Sequence, residues 1–296
     1  MENKNIHILI LFAALLGILA STPAFAGACR ASNTIHEEIS TEGVSELRVN
    51  VLAGYLDIQP GVDDSVNFTG RACTDEEKWL SLLTLDIERH NDVLELTVII
   101  PYEDYDFDAD YAYMDIDLRI PAHLNTKVKD SSGNIVIQSV SVTHIDDSSG
   151  DIRIDHNKTS LQIRDSSGNM EIRDLQGDLE IVDSSGYIDV RNVTGSVYIP
   201  RDSSGDIDIE TVTGKVTIER DGSGNIDIQD VQSDVEIGSD GSGSIKIRDV
   251  NGSVLIGRDG SGAINIANIS GSLTILAKGS GDVHTHRIEG EISLPR

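Results

Sequence analysis

Apolar and polar residues alternate over short stretches through the second half of the chain. In Gly243-Ser-Ile-Lys-Ile-Arg-Asp-Val-Asn-Gly-Ser-Val-Leu-Ile256, the apolar residues Ile245, Ile247, Val254 and Ile256 fall at every second position in two groups, with Val250 between them. Period two built from β-branched residues is the mark of a half-buried strand. It contradicts helical spacing, and β-branching lowers helix propensity as well. The glycines at 243, 252, 262, 271, 281 and 290 advance by alternating steps of nine and ten. Each repeat is therefore two similar halves, reading Gly-x-Ile-x-Ile or Gly-x-Val-x-Ile.

A turn sets the longer period. Asp130, Asp147, Asp165, Asp183 and Asp202 each open an Asp-Ser-Ser-Gly turn, Asp221, Asp240 and Asp259 each open Asp-Gly-Ser-Gly, and Lys278 opens the last copy. Successive intervals are 17, 18, 18, 19, 19, 19, 19 and 19 residues. Such a period marks a repeat architecture. Two five-residue strands cannot bury their own Ile and Val side chains, so neighbouring copies must stack and share one interior. The pattern predicts an all-β fold: a parallel β-helix or solenoid of 18- to 19-residue coils, with two short strands per coil, over residues 129–296.

Residues 27–128 lack the strict repeat but alternate in Leu47-Arg-Val-Asn-Val51, Leu56-Asp-Ile58 and Leu94-Glu-Leu-Thr-Val-Ile-Ile100. Gly54-Tyr-Leu-Asp-Ile58 matches the later half-repeat, which predicts an irregular first coil. The region reads as a β-rich N-terminal cap covering strand edges that would otherwise invite aggregation.

Leu47-Arg-Val-Asn-Val51, Leu118-Arg-Ile-Pro-Ala122 with the following Val128-Lys-Asp-Ser-Ser-Gly133, and the repeats themselves resemble the putative-adhesin family of bacterial envelope proteins, recognised by Ser-Ser-Gly-Asp-Ile-type strand repeats. The resemblance covers nearly the whole chain after residue 26. It implies the fold and an envelope setting, but no ligand and no functional residue. The later turns depart from it by replacing Ser-Ser with Gly-Ser.

Export is expected from the N-terminus. Lys4 precedes an apolar run from Ile8 to Ala20, and small residues close the segment at Ala24-Phe25-Ala26, so residues 1–26 read as a signal peptide. Beyond it, no stretch approaches the roughly 20 apolar residues of a membrane span. Cys29 lacks the upstream Leu of a lipidation site. With Cys73 it enters an oxidising compartment, which predicts a Cys29–Cys73 disulfide. The net charge of -27 repels nucleic acid and anionic membrane surfaces.

Chemistry-bearing residues are few. His284 and His286 share one strand face, but two ligands fall short of a zinc site. Asp221-Gly-Ser-Gly-Asn225 opens like a calcium loop and fails at Ile226 and Gln232, where that loop needs Gly and a bidentate Glu. The segment from Tyr102 to Tyr113 deviates most. Its aromatic residues Tyr102, Tyr105, Phe107, Tyr111 and Tyr113 are candidate partner contacts, and Asp104, Asp106, Asp108 and Asp110 are candidate Ca2+ ligands beside Glu103. The alternative is a solvated acidic loop.

The eight Asp residues Asp130, Asp147, Asp165, Asp183, Asp202, Asp221, Asp240 and Asp259 are expected to stack as a structural turn ladder, each holding the backbone N–H groups of its own turn. Aligning the half-repeats sets each Asp where Val212, Val231 or Val250 stands in the other half, which turns the carboxylates partly inward, and a ladder that binds cations such as Ca2+ is the alternative. Arg164, Arg201, Arg220 and Arg258, each just before a ladder Asp, are expected to offset part of the charge. No catalytic residue and no cofactor site is expected. The chain reads as a noncatalytic exported protein, in the periplasm, at the cell surface or secreted, serving as a structural or adhesin-like surface for a protein or glycan. The alternatives are a Ca2+-dependent binding module and a polysaccharide-active β-helix enzyme.

Overall fold

The computed structural model describes residues 29–102 and 104–295; the N-terminal segment read as a signal peptide, Glu103 and Arg296 lie outside the described residues. One coil shows how the sequence makes the fold. Ile207–Val212 lies in one sheet and Val216–Asp221 in the other. Alternation buries Ile207 and Ile209 in the first strand, and Val216 and Ile218 in the second. The sixth residue of each, Val212 and Asp221, is buried too. In the first sheet this follows from Thr211, whose φ of 61° reverses the side-chain alternation and bends the strand around a corner. The same left-handed step recurs at Asp174, Asn192, Asp230, Asp249 and Asn268, residue types that tolerate it.

Coils stack in parallel with like residues in register. Ile207 pairs with Ile226, Ile226 with Ile245, and Ile245 with Ile264. On the other side Val216, Val235, Val254 and Leu273 form the matching column. The result is two thirteen-stranded sheets face to face around one apolar core that runs from Val44 to Ile275. This is the parallel solenoid, with two strands per coil, that the repeat predicts. Where the repeat first lengthens to 19 residues, a register shift between Leu179–Val182 and Val197–Arg201 takes up the extra residue. Pro200, which has no N–H to donate, sits in that irregularity.

The N-terminal region continues the same two sheets, but not in chain order. Glu46–Asn50 and Leu56–Pro60 form a coil that pairs in parallel with Asn125–Lys129 and Ile135–Gln138 on one side. On its other side it pairs with Val93–Ile99 and Ala112–Ile120. Beyond these the pairing turns antiparallel: Ser65–Thr74 joins Ala112–Ile120, Ala31–Ser40 joins Ser65–Thr74, and Thr84–His90 joins Val93–Ile99. A 3-10 helix, Glu77–Leu82, packs Leu80 against the core.

Cys29 and Cys73 are bridged, with their Cα atoms 5.7 Å apart. The bond ties the start of the outermost strand to its neighbour across a sequence separation of 44. Loop-closure entropy of the unfolded chain gives such a link about 4 kcal/mol. Reduction is therefore expected to lower the urea midpoint clearly, and an identical midpoint with and without reductant would contradict a stabilising role. No helix among the described residues is long and apolar enough to cross a membrane.

Candidate functional site

The aromatic-acidic segment does not act as one surface. Phe107 turns inward and packs partly buried against the core, its ring 5.2 Å from Trp79 and 6.0 Å from Tyr102. Tyr102 donates its hydroxyl to the Ala112 carbonyl and stays half exposed. Tyr111 and Tyr113 lie near one another on the strand side, with ring centroids 6.3 Å apart, and the Tyr111 hydroxyl accepts the Arg30 N–H. Tyr105 alone is fully offered to solvent, at 98% exposure. Asp104, Asp106, Asp108 and Asp110 are all exposed, and Asp104 is engaged in its own turn, accepting the Asp106 N–H. Among the described residues no three acidic, His or Cys groups converge where they could hold a metal ion. Phe107→Ala is expected to cost about 1–3 kcal/mol, because it empties the contact with Trp79. Tyr105→Ala should stay within about 0.5 kcal/mol of wild type. Paired thermal melts compare the two, and equal melting temperatures would remove Phe107 from the cap.

The eight ladder aspartates stand inside the solenoid. Their exposures run from 0% at Asp183 to 6% at Asp147, and Asp221, Asp240 and Asp259 pair in register along one corner. In the Ser-Ser-Gly coils the expected hydrogen bonds form. Oδ1 of Asp130, Asp147, Asp165 and Asp183 accepts the N–H groups of the next two residues, and Asp202 accepts that of Ser204. Oδ2 of each finds no donor. In the Gly-Ser-Gly coils the expectation fails, for neither oxygen of Asp221 or Asp240 meets a donor. The glycine N–H donates to a backbone carbonyl of the coil before, Gly222 to Asp202 and Gly241 to Asp221. The Asp240 carboxyl instead sits between those of Asp221 and Asp259, within reach of a shared proton.

Burial is the main force on these groups, and it lifts Asp130, Asp183 and Asp221 to about 7 and Asp165 and Asp240 to about 6. Asp147, Asp202 and Asp259 move up for the same reason. The preceding arginines do not offset this charge. Arg164, Arg201, Arg220 and Arg258 are exposed, because consecutive strand residues point to opposite faces of the sheet. His284 and His286 are exposed on Val283–Ile288, the neighbour of Ile264–Ile269.

The built surface lies elsewhere, on the outer face of the sheet that contains Ile135–Gln138. The residues that follow each turn glycine form an external column: Tyr55, Asn134, Asp151, Asn169 and Tyr187. Side-chain oxygens knit it together. Asn134 Oδ1 accepts the Asp151 N–H, Asp151 Oδ1 that of Asn169, and Asn169 Oδ1 that of Tyr187. Beside it an ion-pair chain crosses the strands, with Arg153 3.5 Å from Glu171, Glu171 also meeting Arg173, and Arg173 3.9 Å from Asp189. These groups line an open groove of about 610 Å³. Sequence reasoning passed over it. The available signal was that Tyr55 and Tyr187 both follow a turn glycine, at an equivalent outward position in their coils.

No protein-family model matches the sequence, and no curated protein matches it. Three solved structures align with most of the chain at low similarity. A putative cell adhesion protein from Clostridium sporogenes is 12% identical with a TM-score of 0.34, over 87% of this chain and 100% of the other. A putative adhesin from Bacteroides fragilis is 13% identical with a TM-score of 0.40, over 89% and 98%. A putative lipid binding protein from Parabacteroides distasonis is 14% identical with a TM-score of 0.43, over 89% and 97%. At this level of similarity none of them assigns a role to a residue here.

Proposed function

We propose that the chain is a noncatalytic, exported protein of the cell envelope that serves as an interaction surface. The observation that supports this reading most is the disposition of its chemistry. The carboxylates that recur in eight successive turns are sealed in the core, while the outer faces repeat polar and paired charged side chains over two long sheets. Thirteen strands at a spacing of about 4.8 Å give each face a length of roughly 60 Å. A parallel stack of this kind is stiff, because each coil is hydrogen-bonded to the next along both sheets. The charge of -27 keeps such a rod soluble and away from nucleic acid.

The reading is tested by fractionating cells that carry a tagged chain and crosslinking from cysteines placed on the outer sheet faces. Recovery in the envelope or medium, with one discrete crosslinked species, is the expected result. Recovery in the cytosol, or hydrolytic activity of the purified chain on envelope polysaccharide, would overturn it.

A further inference from the structure

We infer that the groove between Tyr55 and Tyr187 is a binding site for a neutral, linear oligosaccharide laid across the strands. The inference rests on the interaction-surface reading and gives it a ligand class. Tyr55 and Tyr187 stand at the same outward position four strand steps apart, which is about 19 Å at the spacing of a β-sheet. Each step is close to the advance of one pyranose along an extended glycan, so the site spans about four sugars. Between the tyrosines the column drops to the shorter Asn134, Asp151 and Asn169, which makes a polar floor between two aromatic walls.

The chemistry of the walls and floor fits a sugar. A phenol ring offers an apolar face to the C–H side of a pyranose and keeps a hydroxyl for a polar contact. The Tyr187 ring is held in place by its hydroxyl, which donates to Asp208. Tyr55 lines the other end of the groove at 37% exposure, and partial burial pushes its hydroxyl above the usual phenol range. On the floor, the Asn134 amide N–H groups and the second oxygen of Asp151 have no partner among the described residues. Planar amides, carboxylates and guanidinium groups present pairs of donors or acceptors that match vicinal hydroxyls.

Other occupants fit less well. An extended peptide gains its affinity from main-chain pairing at a free sheet edge. Here every strand under the groove is already paired on both sides. A charged polymer needs unpaired countercharge. Arg153 and Arg173 are instead engaged by Asp155, Glu171 and Asp189, and the whole chain is strongly acidic. What remains is amide and carboxylate hydrogen-bonding capacity, with no free cation among the described residues of the groove, framed by aromatic faces.

The test is titration calorimetry of the purified exported chain with cellotetraose, chitotetraose, xylotetraose and mannotetraose. At least one should bind, at least tenfold more tightly than its own disaccharide. Tyr55→Ala and Tyr187→Ala should each weaken that binding at least tenfold, Tyr55→Phe should keep most of it, and the melting curves of the exposed-site variant Tyr55→Ala should stay near wild type. Arg153→Gln supplies a second probe of the floor and should weaken binding several-fold. No heat with any of the four sugars overturns the inference, and so does binding that ignores both tyrosine substitutions or is matched by an extended peptide. If these fail while the Tyr55→Ala, Tyr187→Ala chain still reaches the envelope and gives its crosslinked species, the groove is wrong and the interaction surface stands.

Discussion

Gly224→Ala is expected to destabilise the solenoid by at least about 3 kcal/mol, or to prevent folding of the coils around it. Gly224 has a φ of 140°, a region essentially closed to residues with a Cβ. A Cβ built there would also lie inside the van der Waals shell of the Gly205 carbonyl oxygen. That oxygen is backbone in the neighbouring coil and cannot step aside, because both coils are fixed by the ladder. The same geometry repeats at Gly133, Gly150, Gly168, Gly186, Gly205, Gly243, Gly262 and Gly281. Ser223→Ala in the same turn is the control, and should change stability by no more than about 0.5 kcal/mol, because only its backbone is used. Urea unfolding of the three proteins decides the matter. A Gly224→Ala midpoint close to that of Ser223→Ala would mean that the turn relaxes and the clash is not real.

The second large effect is on the dependence of stability on pH. The ladder carboxyls bind protons more tightly in the folded state, where burial raises Asp183 from its ordinary 3.8 to about 7. Between those values the folded chain holds protons that the unfolded chain has released. Stability therefore falls as pH rises through that window, is fully present near pH 4, and levels off above pH 7. For a single aspartate shifted this far the ceiling is about 4 kcal/mol. The protein should melt at a higher temperature at pH 5 than at pH 8.

Asp183→Asn isolates one rung. Its amide oxygen keeps the Ser184 and Ser185 N–H bonds, and its amide N–H groups face Asp165 and Asp202, the neighbours whose charge contributes to the shift. The variant should be more stable than wild type at pH 8 and nearly equal to it at pH 5. Thermal melts of both proteins across that range provide the check. A flat profile for wild type, or equal destabilisation of Asp183→Asn at both ends, would show that the buried carboxyls do not control the slope.

Much of this was written in the sequence. Period-two alternation, glycines recurring at nine- or ten-residue steps and Asp-led turns at near-constant spacing determine strands, coil length and stacking, because each is a local rule repeated coil after coil. The place of Asp221 opposite Val212 in the half-repeat was legible for the same reason, though the alignment implied only a partial inward turn where Asp221 is 4% exposed. The Cys29–Cys73 bridge followed from compartment and count alone. Tertiary structure decided what local rules do not carry. The coil of residues 46–60 lies between two later segments, and strand order cannot be read from a chain that returns past its own first coil. Whether a buried aspartate finds its hydrogen bonds depends on a single turn residue, since Ser-Ser presents two N–H groups to Oδ1 of Asp183, whereas Gly222 and Gly241 donate to carbonyls of the coil before. Phe107 turned inward because the open end of the core needed covering. The groove between Tyr55 and Tyr187 exists only because stacking brings residues 132 positions apart in the chain onto one face, a proximity that the parallel ladder creates and no local pattern records.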